Sequence, residues 1–165
     1  MRNRVLLAVA MSLLMVTLLT GCGSRDAGVF KVGLEAGYPP FNWTQMDASN
    51  GAVKIEGSAE YAGGYDVEIA KIIAQGLGKQ LVIVKTEWNG LELAVSSGKI
   101  DAVIAGMSPT ADRKKAIDFS DNYYQSELVM VVKNGGRYVG ATWINDVADA
   151  KITGQLGTVY YSDMD

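Results

Sequence analysis

The stretch DVEIAKIIAQGLGKQLVIV, residues 66–84, decides the fold class that this chain is expected to adopt. Apolar residues recur at near-helical spacing over residues 66–75, which predicts an amphipathic helix, and Gly76 and Gly78 then end it. The run LVIV at residues 81–84 is short, apolar and mostly β-branched, which suits a strand buried on both faces of a parallel sheet. A helix followed directly by such a strand is typical of α/β proteins.

The same alternation continues on both sides of that stretch. FKVGL at residues 30–34 predicts the preceding strand. Downstream, we predict a helix at residues 88–97, a strand at residues 102–105, a short helix at residues 110–116 and a strand at residues 128–132. This order predicts an α/β fold with a parallel sheet and helices on its faces.

Other segments are predicted to be loops, a hinge and the start of a second unit. GYPPF at residues 37–41 is predicted to be a loop, because its prolines exclude a helix or central strand. Residues 44–64 are polar and predict a long surface excursion with a small hairpin around residues 53–55. KNGGR at residues 133–137 predicts a hinge. After it we predict a short helix near residues 144–148, a strand at residues 151–155 and a turn at Gly157.

Composition excludes several classes of function. The chain has 165 residues, 15 basic and 18 acidic, and its net charge of −3 argues against a nucleic-acid partner. It has no histidine, the commonest general base and metal ligand. Its one cysteine excludes an internal disulfide and a cysteine-based zinc site. We therefore expect no metal, no cofactor and no catalytic residue.

The first residues indicate export. Arg2 and Arg4 precede an apolar run at residues 5–19, which is shorter than the roughly 20 residues of a membrane-spanning helix. The following LTGC, residues 19–22, resembles the lipobox of bacterial lipoproteins, which implies a signal peptide at residues 1–21, a lipid (palmitate-type acylation) on Cys22 and a tether at residues 22–29. A plain signal peptide with a chance cysteine is the alternative.

Candidate ligand-binding residues gather where the strand at residues 102–105 ends. Gly106 lets the backbone approach a ligand closely, and Ser108 and Thr110 supply hydroxyls and amides at the carboxyl end of a strand. Thr110 can cap the next helix, whose start favours an anion. Arg113 in its first turn can grip a carboxylate with its planar fork.

The alternative for Arg113 is an exposed side chain paired with Asp112 or Asp118. From spacing alone the two readings of Arg113 are equally weighted.

Gly157 and Thr158 repeat the pattern of Gly106 and its neighbours, with a predicted strand, a Gly-Thr pair and a predicted helix start. Two such sites on either side of a hinge predict a ligand held between lobes.

Aromatic and acidic residues supply further candidates. Tyr38, Phe41 and Trp43 surround the prolines, where they either wall a small-molecule pocket or pack as ordinary core and rim. Glu35 follows the first strand, and it either accepts a ligand ammonium or is a solvated loop acid. Trp88 is interpreted as core packing.

Five segments together resemble the family 3 extracellular solute-binding proteins, the polar amino-acid receptors of ABC importers. They are GYPPF (37–41), GGYDVEIAKIIA (63–74), WNGL (88–91), GKIDAVIAGMSPTADRKKAIDFSDNYY (98–124) and GQLGT (154–158). The resemblance implies a two-lobe, type II periplasmic-binding-protein fold. Residues 30–132 would form lobe 1 with the first crossing strand, and residues 133–165 the hinge and a truncated start of lobe 2.

The resemblance also implies roles for the candidates. Arg113 would clamp the ligand α-carboxylate with help from Ser108, Gly106 and the Thr158 region, and Tyr38 would cover the ligand side chain. The loop after Phe41 is longer than is usual in the family, and the acid that usually receives the α-amino group lies in the missing part of lobe 2.

The implied function is a receptor, lipid-anchored at the outer face of the cytoplasmic membrane or in the periplasm, that binds a polar amino acid and delivers it to an ABC permease in the membrane. A dehydratase-like enzyme on the same fold and a ligand-sensing domain are the alternatives. The lack of histidine and of a nucleophile–base constellation argues against the enzyme.

Overall fold

The computed structural model describes residues 28–162. The predictions made for residues 1–21 and for the lipid on Cys22 lie outside the described residues. None of the helices within 28–162 is long and apolar enough to cross a membrane.

The described elements alternate between strands and short helices. The strands are β1 Val29–Leu34, β2 Gly37–Tyr38, β3 Asn42–Gln45, β4 Val53–Lys54, β5 Tyr61–Gly63, β6 Gln80–Lys85 and β7 Ala102–Val103. The α-helices are α1 Tyr65–Gly76, α2 Leu91–Ser96 and α3 Val159–Ser162. Single turns of 3₁₀ helix form at Ser49–Gly51, Trp88–Gly90, Arg113–Lys115 and Ile144–Val147.

A parallel sheet with the order β6-β1-β7 forms the centre of the molecule, which confirms the α/β prediction. β1 is the middle strand, and its Val32 and Leu34 are fully buried. Helix α1 packs Val67 and Ala70 into the same core, and the fully buried Leu91 of α2 also joins it. Burial of one such side chain stabilises the fold by about 1.5–3 kcal/mol. The parallel strands all point their carboxyl ends toward the edge where the candidate site lies.

The polar excursion is more ordered than predicted. An antiparallel sheet with the order β2-β3-β5-β4 includes its strands. The sheet also includes β2, which forms at Gly37–Tyr38 although residues 37–41 were predicted to be a loop. The pairing of β4 with β5 confirms the hairpin expected around residues 53–55. A further bridge joins Ile55 to Ile83 of β6, and the burial of both side chains fixes the excursion to the core.

Two predicted strands are wrong, because residues 128–132 and 151–155 are irregular. A strand exists only where its backbone groups pair with a neighbour, and within residues 28–162 neither segment pairs with one. The first segment is also exposed, with 81% of the Val129 surface and 91% of the Val131 surface accessible. The assignment of residues 30–132 and 133–165 to two lobes therefore stays a prediction.

Several predicted elements are present but shorter. The strand at residues 102–105 ends at Val103, and the helix at residues 88–97 begins with a 3₁₀ turn. The helix predicted at residues 110–116 is only the 3₁₀ turn Arg113–Lys115. Short helices are marginal because few hydrogen bonds offset the cost of starting them.

Candidate ligand-binding site

Most of the predicted site residues meet in one pocket at the carboxyl end of the parallel sheet. Glu35, Tyr38, Gly106, Ser108 and Arg113 line it together with Thr158 from the distant end of the chain. Other lining residues were not singled out as ligand contacts: Asn42, Trp88, Ala105, Gln155, Val159 and Tyr160. The cavity has a volume of about 30 Å³, far below the roughly 300–1,000 Å³ of typical small-molecule sites. A ligand larger than a few waters therefore requires the pocket to widen.

Arg113 is the buried cation of this pocket, with 9% of its surface accessible. Its Nε donates to Oε1 of Glu92 at 3.1 Å, and Nη1 donates to the carbonyl oxygen of Ser108 at 2.9 Å. Its Nη2 donates to the carbonyl oxygen of Gly157 at 2.8 Å. The two terminal nitrogens, Nη1 and Nη2, therefore face the pocket and donate to uncharged carbonyl oxygens.

The alternative of an exposed Arg113 paired with Asp112 or Asp118 is wrong. Asp112 pairs instead with Lys115, whose Nζ lies 2.6 Å from Oδ1, and the acidic partner of Arg113 is Glu92. Within the turn Arg113–Lys115, the Arg113 side chain points inward and is 10% exposed. The Lys115 side chain points outward and is 76% exposed.

Trp88 packs against the core, as predicted, and also contacts the site. The Arg113 guanidinium carbon lies 5.4 Å from the centre of the Trp88 ring, which is within the range of a cation–π contact. The Trp88 Nε1–H donates to the carbonyl oxygen of Gly157 at 2.9 Å. The Gly157 carbonyl thus accepts from both Trp88 and Arg113.

Thr110 contacts the turn but does not line the pocket. Its Oγ1 accepts a hydrogen bond from the Arg113 backbone N–H at 3.3 Å, but the N-cap residue of the turn Arg113–Lys115 is Asp112, and no side chain caps it. The turn that follows has only three residues. A three-residue turn has no strong helix dipole, so the helix start that was predicted to favour an anion does not form at this position.

Glu35 and Thr158 both contact Gln155. The Glu35 carboxylate accepts from Nε2 of Gln155 at 3.0 and 3.2 Å. The buried Thr158 donates from Oγ1 to the Gln155 carbonyl oxygen at 2.6 Å. Glu35 is therefore held by a neutral amide and remains an acceptor that faces the pocket.

Tyr38 lies over the pocket beside Tyr160, with 3.0 Å between the two hydroxyl oxygens. This hydrogen bond and burial raise the pKa of Tyr38 to about 12, so its hydroxyl is neutral near neutral pH. Tyr38 also stacks on Phe41, with ring centres 5.1 Å apart. Of the three predicted wall residues, only Tyr38 lines this pocket. Phe41 lines a larger cavity of about 1100 Å³ that shares Tyr38, Gly106 and Ser108 with it.

Sequence reasoning missed Glu92, Gln155 and Tyr160. Glu92 lies in the helical segment after Trp88, where an acid is most simply interpreted as a solvated side chain. Gln155 and Tyr160 flank the Gly157–Thr158 pair that was predicted to face a ligand, and that proximity is the signal that could have found them. Within residues 28–162 there is no cluster of acids that could hold a metal ion.

Comparison with known proteins identifies relatives that match most of this chain. Residues 30–142 match the family described as bacterial extracellular solute-binding proteins, family 3. The arginine-binding extracellular protein ArtP of Bacillus subtilis (strain 168) is 31% identical over 147 residues, which cover 86% of this chain and 51% of that protein. The L-cystine-binding protein TcyJ of Escherichia coli (strain K12) is 32% identical over 136 residues, covering 82% of this chain and 46% of that protein.

A solved structure is also similar. The arginine-bound form of domain 1 from TmArgBP, a T. maritima protein, has 39% sequence identity and a TM-score of 0.50, covering 61% of this chain and 70% of that one. The chain spans about half the length of the curated relatives it matches.

Proposed function

Because this chain belongs to the bacterial extracellular solute-binding proteins of family 3, we propose that it binds an amino acid whose carboxylate is held by Arg113. The observation that carries this proposal is the buried guanidinium, whose Nη1 and Nη2 face the pocket. A guanidinium and a carboxylate carry opposite charges and can form two parallel N–H···O bonds, whereas a carbonyl oxygen carries no net charge. A ligand carboxylate is therefore a better acceptor for Nη2 than the Gly157 carbonyl that occupies it.

Entry of a ligand requires the segment at residues 155–160 to move. This segment supplies the Gly157 carbonyl, the Gln155 amide and the Tyr160 hydroxyl that fill the pocket. The Gly157 carbonyl accepts from both Arg113 and Trp88. The Gln155 amide contacts both carboxylate oxygens of Glu35. A hydrogen bond to a charged group contributes a net of about 1.5–3 kcal/mol, so a ligand must supply contacts of similar strength. We propose that the ligand replaces these contacts with its own carboxylate and side chain.

We infer that the ligand is a cationic amino acid, such as arginine. Within the part of the chain that the structure describes, Glu35 accepts only from the neutral Gln155 amide. An ammonium or guanidinium that displaces this amide therefore gains a charged partner. The aromatic ring of Tyr38 lies beside the same space and can contact a cation or its aliphatic stem. Relatives named as arginine-binding proteins support this choice.

The lipid anchor and the membrane partner are proposed from the sequence. Cys22 after the apolar run would carry acyl chains, and these would keep the receptor at a membrane surface. There it would deliver its amino acid to an ABC permease. The family consists of extracellular solute-binding proteins, so we propose a binding role; the dehydratase-like enzyme and the sensing domain stay as hypotheses.

Calorimetric titration of the purified chain with arginine, lysine, glutamine and glutamate tests the proposal. We expect arginine to bind, and Arg113→Ala to weaken binding at least about 30-fold, the loss of a charged hydrogen-bonded pair. The matched control is Lys115→Ala, which removes a cation from the same turn but from its exposed side, and it should bind normally. Undiminished affinity in a folded Arg113→Ala variant would overturn the carboxylate role. Equal affinity for glutamate and arginine would overturn the role of Glu35.

A further inference from the structure

A series of three hydrogen bonds connects helix α1 to the pocket. Asp66 is fully buried at the first turn of α1. Its Oδ2 accepts from Nδ2 of Asn42 at 2.7 Å, and its Oδ1 accepts from the Tyr123 hydroxyl at 2.7 Å. The same hydroxyl oxygen accepts from the backbone N–H of Gly106 at 2.9 Å. Three segments distant in sequence therefore meet at one carboxylate and one phenol.

The Asp66 carboxylate determines which group donates in each of these three hydrogen bonds. Ionised carboxylate oxygens only accept, so Asn42 and Tyr123 must donate to Asp66. Once the Tyr123 hydroxyl has donated its proton, its lone pairs are left for the Gly106 N–H. The amide of Asn42 is turned toward Asp66 even though its buried Oδ1 then has no partner within residues 28–162. The bond to Asp66 thus outweighs the cost of that unpaired oxygen.

Gly106 has little else to hold its conformation. Its φ of +64° lies in the left-handed region, which glycine enters at no steric cost. A Cβ at this position would lie 3.7 Å from Cε1 of Tyr38, an ordinary contact, so close packing does not fix the turn. Within residues 28–162, the Gly106 N–H donates only to the Tyr123 hydroxyl. The loop it begins carries Ser108, whose carbonyl oxygen accepts from Nη1 of Arg113.

We propose that Asp66 is a positioning residue for ligand binding, acting through the Tyr123 hydroxyl to hold Gly106 and so to fix Ser108 opposite Arg113. The inference rests on the proposed function, because it names residues that prepare the same pocket. Preorganisation of this kind increases affinity by removing the cost of ordering a loop when the ligand binds.

The test compares Tyr123→Phe with Tyr124→Phe. The first removes only the bridging hydroxyl and keeps the ring that stacks on Tyr65 at 6.2 Å. The second removes a hydroxyl from the adjacent tyrosine, whose ring contacts Phe41 and Tyr65. Affinity is measured by titration with arginine. Hydrogen exchange of the Gly106 amide, detected by NMR, reports directly on the loop.

We expect Tyr123→Phe to weaken arginine binding about ten-fold, the scale of one lost hydrogen bond, and to accelerate exchange at Gly106. Tyr124→Phe should change neither. Asp66→Asn combined with Tyr123→Phe should lose no more affinity than Tyr123→Phe alone, because both act through one chain of bonds. That non-additivity is the readout that a merely structural role would not produce.

The possible outcomes separate this inference from the proposed function. If the unsubstituted chain binds no amino acid, the proposed function fails, and this inference fails with it. If the chain binds arginine and Tyr123→Phe binds it equally well, only the positioning role is overturned. Additive losses in the double variant would also overturn it.

Discussion

Nη2 of Arg113 and the carbonyl oxygen of Gly157 lie 2.8 Å apart although the two residues are 44 positions apart in the chain. The Trp88 indole donates to the same oxygen at 2.9 Å. The Gly157 carbonyl oxygen therefore accepts hydrogen bonds from both the Arg113 guanidinium and the Trp88 indole. An anion that replaces this carbonyl at Nη2 of Arg113 also removes the hydrogen-bond acceptor of Trp88.

This relationship predicts a fluorescence signal on ligand binding. Removal of the acceptor from Nε1 changes the polarity around the Trp88 indole, so its emission should shift when arginine binds. A chain with Trp43→Phe and Trp143→Phe leaves Trp88 as the one tryptophan, because the sequence has three. Titration with arginine should change the emission with the same midpoint as calorimetry. Unchanged emission at saturating arginine would contradict displacement of Gly157.

Gly64 and Gly76 lie at the two ends of α1, and their substitution by alanine should change the free energy of unfolding in opposite directions. A Cβ on Gly64 would overlap the Phe41 carbonyl group, and its φ of +123° is unfavourable for any L side chain. The Phe41 oxygen cannot move away, because it accepts from the Asp66 backbone N–H at 2.8 Å. We expect Gly64→Ala to lower the free energy of unfolding by more than about 2 kcal/mol.

Gly76→Ala is the matched substitution, since a Cβ there would meet nothing within 4 Å. We expect it to raise the free energy of unfolding by about 0.4–1 kcal/mol, through the lower entropy of the unfolded chain. Urea denaturation of both variants measures the difference. Similar values for the two would show that the backbone at Gly64 adapts.

Asp66 should make the stability of the protein depend on pH. Burial raises the pKa of Asp66, and the hydrogen bonds from Tyr123 and Asn42, which lower it, offset only part of that effect. Between its usual pKa and the raised value, the folded state binds more protons than the unfolded state, so stability falls as pH rises. The contribution of Asp66 is therefore fully present below the usual pKa and is lost as pH rises through the raised value.

Comparison with Asp66→Asn isolates this contribution. The difference in free energy of unfolding between the unsubstituted chain and Asp66→Asn should decrease with rising pH and then become constant. Urea denaturation at a series of pH values above about 3.9, the usual pKa of aspartate, measures it. A difference that increases with pH would mean that the hydrogen bonds outweigh burial.

Cys22→Ser tests the proposed anchor. If Cys22 carries acyl chains, the substituted protein should leave the membrane fraction, because the chains supply about 0.8 kcal/mol of membrane affinity for each buried CH₂ group. Fractionation of cells that express both forms, with detection by antibody, measures the distribution. Retention of Cys22→Ser at the membrane would count against lipidation.

Sequence alone was sufficient to predict the elements whose hydrophobic pattern is local. Helix α1 and strand β6 were predicted within one residue of their observed ends, because burial of alternate or helically spaced apolar residues drives both. Gly106 and Ser108 could be placed at the pocket because they follow a parallel strand, and such strands end at one edge of the sheet. For Arg113, spacing alone weighted the pocket and an exposed ion pair equally.

The tertiary structure decided which partners those residues have. Nothing local distinguishes Glu92 from Asp112 as the partner of Arg113, and the choice follows from the packing of α2 against β1 and β7. The apolar run at residues 128–132 has the composition of a strand, but within residues 28–162 no neighbour pairs with it. The sequence thus determined where side chains of suitable chemistry lie along the chain. Only the fold decided which of them meet, because long-range pairing depends on how separate elements pack together.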